Sequence, residues 1–280
     1  MASYKAAAAE GENRLARAHT ENAAFEALHL LLCVCGMDRT AYLLGRDGEM
    51  PPGQEEAYFG LIERRVSGEP LQYLMRTQDF LGRTYAVGPG VLIPRPETEE
   101  LAQLCIEAVL QNGYRTVFDL CAGSGCIGYS VALHCPDADV WLFEKYDPAL
   151  SYLRKNLPDR IRQRVHIVQA DVLLPPPQGL PVPDLIVSNP PYIPTAQLPL
   201  LQREVLREPV SALDGGEDGL TFYRAVLRHW TPLLRPGGLA AFECGDDQSA
   251  ALTQLFGSAG AARTVKDAFG ADRFVTVNIP

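Results

Sequence analysis

An amide, two prolines and an aromatic ring stand in a row at Asn189-Pro190-Pro191-Tyr192. They follow Leu185-Ile186-Val187-Ser188, an apolar run that reads as a buried strand. Neither proline can donate to a sheet ladder and each fixes its φ, so the strand ends there in a stiff loop at its C-terminal edge. An Asn side chain offers one acceptor oxygen and two donor hydrogens. The Pro190 carbonyl has no neighbouring N–H to serve. Together the two acceptors suit both hydrogens of a planar –NH2 group, with the Tyr192 ring over its face. Such a device presents an amino or amide nitrogen to an electrophile. The alternative is a proline-stiffened turn without chemistry, and the four residues alone do not separate the two readings.

A second cluster supplies a partner. Phe118-Asp119-Leu120-Cys121-Ala122-Gly123-Ser124-Gly125-Cys126-Ile127-Gly128 reads as a strand, a Gly-rich turn and a helix start. Glycines let a ligand edge approach the backbone, and the helix start offers free N–H donors. Gly123, Gly125 and Gly128 also match G-x-G-x-x-G, the dinucleotide fingerprint. Asp119, just ahead of the turn, would repel a pyrophosphate but suits a ligand carrying an ammonium and a sulfonium, such as S-adenosylmethionine. Glu144 ends the next strand, where a carboxylate accepts from a ribose diol. Asp171 ends the third and is placed for an adenine amino group, and Asn189 ends the fourth. Four polar residues at four successive strand ends are expected to converge on one crevice. Any one carboxylate read alone is a helix cap or a solvated turn.

The elements that must position these residues alternate. Strands are expected at 116–120, 140–144, 165–170, 184–188 and 239–243. Helices are expected at 127–134, 148–156, 220–234 and 249–256. Segments 263–266 and 274–279 read as a closing hairpin. Alternation of this kind means a mostly parallel sheet with helices on both faces, and ligands at the C-terminal strand ends. Ahead of it, Thr98 reads as the N-cap of a helix that ends at Asn112-Gly113. Residues 79–87 read as a short hairpin with Gly88-Pro89-Gly90 as its turn. Residues 1–75 are helical by spacing, broken at Pro51-Pro52-Gly53 and Gly68-Glu69-Pro70.

The 280 residues carry a net charge of −9. That is poorly suited to sequence-independent nucleic-acid binding; Arg160, Arg162 and Arg164 form one small basic patch, read as a solvated turn. The seven cysteines read as reduced thiols, and neither they nor the five histidines show ligand spacing, so no metal is expected. No apolar run reaches the ~20 residues of a membrane span. The expectation is a cytoplasmic protein without membrane or direct nucleic-acid contact, and a monomer.

With these residues assembled, the chain resembles the PrmC/HemK family, the N5-glutamine methyltransferases of peptide chain release factors. The resemblance rests on Asn189–Tyr192, on Gly68-Glu69-Pro70-Leu71-Gln72-Tyr73-Leu74, on Asp79-Phe80-Leu81-Gly82, on Val91-Leu92-Ile93-Pro94-Arg95-Pro96-Glu97-Thr98-Glu99, on Arg207-Glu208-Pro209 and on Phe269-Gly270-Ala271-Asp272-Arg273. It implies a class I S-adenosylmethionine-dependent methyltransferase: a Rossmann-like doubly wound sheet with a C-terminal antiparallel hairpin, plus a small N-terminal helical bundle. Residues 1–75 become a substrate-recognition domain, 76–96 a hairpin linker and 97–280 the methyltransferase domain. The implied substrate is the glutamine of the release factor Gly-Gly-Gln motif, and the implied product of the cofactor is S-adenosylhomocysteine. Cofactor binding falls to Asp119, Cys121, Ala122, Gly123, Ser124, Gly125, Glu144, Asp171, Val172 and Asn189. Catalysis and substrate binding fall to Asn189, Pro190, Pro191 and Tyr192, with Leu92 and its neighbours as a lid or as plain core. Cys121, Ala122 and Ser124 depart from the family's Gly-Thr-Gly-Thr-Gly, Glu144 replaces an Asp, and Val172 stands where an aromatic residue often packs on adenine.

Three other readings compete. A nucleic-acid amino-methyltransferase uses the same clamp on a flipped base, but would carry a basic face. A nicotinamide-dependent oxidoreductase fits the glycine spacing but not Asp119. A cofactor-binding protein without catalysis would not need the intact 189–192 segment.

Overall fold

The computed structural model describes residues 2–280, in two compact units. One takes the chain up to Thr77 together with Gln202–Arg207; the other takes Gln78–Leu201 and Glu208–Pro280.

The first unit holds α1 (Tyr4–Arg17), α2 (Ala23–Cys35), α3 (Arg39–Gly45), α4 (Pro52–Val66) and α5 (Leu71–Met75). Leu15, Leu30, Leu31, Tyr58 and Ile62 are fully buried at its centre. Helical periodicity accounts for these elements; it does not account for residues 202–207. Their place follows from Arg65, a buried guanidinium on α4. It grips Glu26 through two bonds of 2.5 and 3.0 Å and takes Glu204 at 2.5 Å. A buried cation needs such partners, and one of them comes from 139 residues away.

The second unit opens with the hairpin β1 (Thr77–Phe80) and β2 (Arg83–Ala86). Its turn is Leu81-Gly82, with φ of +45° and +71°, rather than Gly88-Pro89-Gly90. Two positive φ values in a two-residue turn match the right-handed twist of the strands. Next come α6 (Pro96–Asn112), β3 (Thr116–Leu120), α7 (Cys126–His134), β4 (Asp139–Glu144), α8 (Asp147–Asn156), β5 (Val165–Gln169) and β6 (Leu185–Ser188). The chain ends with α9 (Thr221–His229), β7 (Leu239–Glu243), α10 (Ser249–Phe256), β8 (Ala261–Lys266) and β9 (Asp272–Asn278). The sheet order is β5-β4-β3-β6-β7-β9-β8, parallel through β7 and antiparallel across β7, β9 and β8. This is the expected doubly wound sheet with a closing hairpin.

Two helix limits differ from expectation. Thr98 is not an N-cap: α6 begins at Pro96, whose fixed φ suits the first helical position, and Thr98 is buried inside the first turn. Helix α9 stops at His229, and a 3-10 turn covers Thr231–Leu233. Of the three arginines, Arg160 and Arg162 are exposed, as a solvated turn requires, but Arg164 is not. Arg164 donates to the carbonyls of Ala132, Cys135 and Ala138, closing the end of α7.

The start of α7 shows why its loop tolerates few residues. Gly125 has φ +83°, and a Cβ there would stand 2.6 Å from Leu153 Cδ1 and closer still to the Tyr129 ring. Gly125→Ala is expected to combine left-handed strain with overpacking and cost about 2–4 kcal/mol, read by denaturant unfolding. Wild-type stability in that variant would contradict the packing described.

Candidate active site

Strand order reverses between β3 and β6, and a crevice opens there at the C-terminal ends of the strands. It takes in about 900 Å³ of space between the loops, part of it open to solvent. The loops after β3, β4, β5 and β6 supply Cys121–Ser124, Glu144–Tyr146, Ala170–Leu173, and Asn189 with Pro191. Val91, Leu92, Pro94, Arg95 and Thr98 complete the wall on one side.

Glu144 organises the floor. Its Oε2 accepts from Gly123 N at 2.9 Å, and its Oε1 accepts from Lys145 N and Tyr146 N at 2.8 and 2.9 Å. A carboxylate has about four acceptor sites, so one remains for a ligand hydroxyl. Asp171 Oδ1 accepts from Leu173 N at 3.0 Å, and its Oδ2 pairs with Lys145 Nζ at 2.9 Å. That bond holds the Lys145 ammonium above its usual pKa. Val172 lines the cavity while its carbonyl accepts from the buried Trp230 Nε1 at 2.9 Å. Cys121 adopts φ +62°, a conformation that costs a non-glycine residue about 1–2 kcal/mol.

Asn189 has its amide oriented. Its Nδ2 donates to Thr98 Oγ1 at 3.1 Å, and Thr98 Oγ1 donates to Glu243 Oε2 at 2.7 Å. Neither Asn189 Oδ1 nor the Pro190 carbonyl is bonded to a donor among the described residues. The loop is braced from behind. Gln248 Nε2 donates to the Tyr192 carbonyl at 2.8 Å; Ile193 N donates to Leu213 O at 2.9 Å and Gly215 N to Ile193 O at 2.8 Å. The strap 91–95 is clasped as well. Buried Glu208 accepts from Ile93 N at 2.9 Å and from the Arg95 guanidinium.

Four residues assigned to the site do not line the cavity: Asp119, Gly125, Pro190 and Tyr192. Asp119 is 1% exposed; its Oδ2 accepts from Gly128 N at 2.8 Å and its Oδ1 has no partner. Burial raises its pKa to about 7 against that hydrogen bond, with the Glu144 charge adding to the rise. It stands behind the loop rather than in front of a ligand ammonium. Alternate residues of the 189–192 segment fall on and off the cavity lining, as they would in an extended run. Asn189 and Pro191 line the cavity, while the Tyr192 ring packs on the core cluster that holds Phe242 and Tyr223. It does not cover the cavity as expected. Thr98 and Glu243 are the residues that sequence reasoning missed as site members, and no local pattern marks either of them.

The chain matches two family models, the PrmC N-terminal domain over residues 6–75 and the methyltransferase small domain over residues 97–218. The release factor glutamine methyltransferase of Moorella thermoacetica is 39% identical over 268 residues, 94% of each chain. The chain belongs to the release factor glutamine methyltransferase family. The family member of Geobacter sulfurreducens is likewise 39% identical, over 93% of this chain and 91% of its own. Among solved structures, a methyltransferase from Pyrococcus furiosus superposes with a TM-score of 0.51 at 18% identity, covering 71% of this chain and 89% of that one; this speaks to the fold alone. As a family member the chain is a methyltransferase. The second matched region contains every loop from β3, β4, β5 and β6 that lines the cavity.

Proposed function

We propose that this chain transfers a methyl group from S-adenosylmethionine to the side-chain amide nitrogen of a glutamine in a peptide chain release factor. The observation that carries this reading is Asn189 Oδ1, unbonded in the wall of a cavity floored by Glu144 and Asp171, with the equally unbonded Pro190 carbonyl next to it in the chain.

The donor set fits the cofactor. The remaining acceptor site of Glu144 suits a ribose hydroxyl, and Asp171, Val172 and Leu173 suit an adenine edge and face. Cys121 to Ser124 offer a close backbone approach for the amino-acid end. When bound, the cofactor supplies a methyl group on a good leaving group. The protein's task is then the nucleophile. An amide nitrogen is weak because its lone pair is delocalised into the carbonyl. Asn189 Oδ1 and Pro190 O accept its two hydrogens and turn the lone pair towards the methyl group. Pro190 and Pro191 stop the acceptors from relaxing, and Tyr192 anchors the loop to the core. Positioning of this kind supplies up to ~7–11 kcal/mol in well-aligned reactions. No strong base is needed, because the methylated nitrogen becomes acidic and loses its proton after transfer. Relatives named for this activity support the substrate, and we assign the N-terminal helical unit to recognition of the release factor.

Glu144→Ala is expected to weaken S-adenosylmethionine binding about thirtyfold, as loss of a charged acceptor does, measured by calorimetry; unchanged affinity would place the ribose elsewhere. The reading as a whole is tested by offering methyl-labelled S-adenosylmethionine with release factor, duplex DNA and ribosomal RNA side by side. Label on a release factor glutamine alone is expected. Label on nucleic acid, or on none, sinks the proposal.

A further inference from the structure

We propose that Thr98 and Glu243 are positioning residues whose hydrogen-bond chain sets the polarity of the Asn189 amide, and so decides whether the site presents an acceptor or a donor to the substrate. The inference rests on the reading of Asn189 as the clamp on the substrate –NH2 group.

A Thr hydroxyl has one hydrogen to donate. Thr98 gives it to Glu243 Oε2 at 2.7 Å, deep in the fold, with Thr98 and Glu243 each 2% exposed. An ionised carboxylate only accepts, so this direction is forced. Thr98 Oγ1 can then only accept from Asn189, at 3.1 Å. The –NH2 end of Asn189 is consumed and Oδ1 is left for the cavity. An Asn free of this chain would have two nearly equal orientations, and one of them presents hydrogens to hydrogens. The three residues come from α6, the loop after β6 and the end of β7. Their convergence is a product of the fold and not of any local motif.

The chain has a titratable root. Burial raises the Glu243 pKa to about 7; Glu97 on α6 raises it too, while Thr98, Arg273 on β9 and Asn189 lower it. Tyr192 and Cys244 also bear on this carboxylate, as does Cys126 at the start of α7. Tyr223 of α9 donates to the backbone carbonyl of Glu243 at 2.6 Å. Above pH 7 the carboxylate is charged and the direction is set. Below it, the protonated carboxyl can donate to Thr98, which is then free to donate to Asn189 Oδ1, and the amide can turn over. Turnover should therefore fall as pH falls through about 7, with cofactor affinity unchanged.

Thr98→Val keeps the shape and removes the hydroxyl. It is expected to lower kcat about tenfold, the worth of one oriented hydrogen bond, with S-adenosylmethionine Kd unchanged. Thr98→Ser restores the hydroxyl and should recover most of the loss. Glu243→Gln can donate or accept at every pH, so its turnover is expected to be reduced and flat between pH 6 and pH 8. A readout without turnover accompanies these. The Asn189 side-chain amide resonance, identified by its loss in Asn189→Ala, should shift in the wild-type protein with a midpoint near pH 7 and stay fixed in Glu243→Gln. Should Thr98→Val not fold, Glu243→Gln decides alone. Wild-type kcat in Thr98→Val, or a low-pH limb and an amide titration that survive in Glu243→Gln, overturns the polarity relay. If the wild-type protein fails to methylate release factor, the clamp reading fails instead, and the amide titration still judges the relay.

Discussion

Asn189→Ala is expected to lower methyl transfer to release factor about 10³-fold while S-adenosylmethionine still binds within about tenfold of wild type. The substitution removes a side-chain acceptor at the cavity that carries no bond from the chain itself. It leaves Glu144, Asp171 and the Gly-rich loop untouched. Removal of a preorganised hydrogen-bonding group from a reacting centre costs about 10²–10³-fold in kcat. The loss here falls at the upper end, because the single remaining acceptor, the Pro190 carbonyl, cannot fix the plane of the amide. Single-turnover kinetics with purified release factor measure it directly. Tyr192→Ala should cost less, since the ring packs on the core and outside the cavity. Turnover near wild type in Asn189→Ala would remove the clamp from the account.

Gly215→Ala carries the second large effect, from a residue that touches nothing in the cavity. A Cβ at Gly215 would stand 2.7 Å from Tyr192 Cα, 2.8 Å from Tyr192 C and 2.9 Å from Gly219 Cα. All three are backbone atoms and cannot swing aside. Gly215 N also donates to Ile193 O, so the two segments are tied at the point where the methyl would intrude. The 189–194 loop must shift. A displacement of about 1 Å at the reacting groups costs about 10²-fold. The expected signature is a fall of that size in kcat, with cofactor affinity kept and a stability loss of about 1–3 kcal/mol. Thermal unfolding and calorimetry run beside the kinetics separate the two effects. A variant with wild-type kcat would show that the loop is not held from behind as described.

Both residues show where sequence reading reaches and where it stops. The sheet was legible because its signals are local: apolar runs such as Leu185–Ser188, each bounded by turn residues. Glu144, Asp171 and Asn189 were legible for the same reason, since a strand end can be counted along the chain. Asp119 was misplaced because its fate depends on Gly128, whose N–H captures the carboxylate behind the loop. Tyr192 followed a rule that was available, the alternation of an extended segment. Thr98 and Glu243 lay beyond reach. Their bond spans 145 residues, and that of Thr98 to Asn189 spans 91. Glu208, which clasps Ile93 from 115 residues away, belongs with them. Long-range polar pairs leave no periodicity in a sequence; only the fold brings them together.

The most direct test is a crystal structure with S-adenosylhomocysteine and a release factor peptide carrying Gly-Gly-Gln. The account expects the glutamine side-chain nitrogen within about 3.2 Å of both Asn189 Oδ1 and the Pro190 carbonyl oxygen, the reach of a hydrogen bond, and on the same side of the loop as the cofactor sulfur. A carboxamide bound through its oxygen, or a nitrogen paired with any other acceptor, would contradict it.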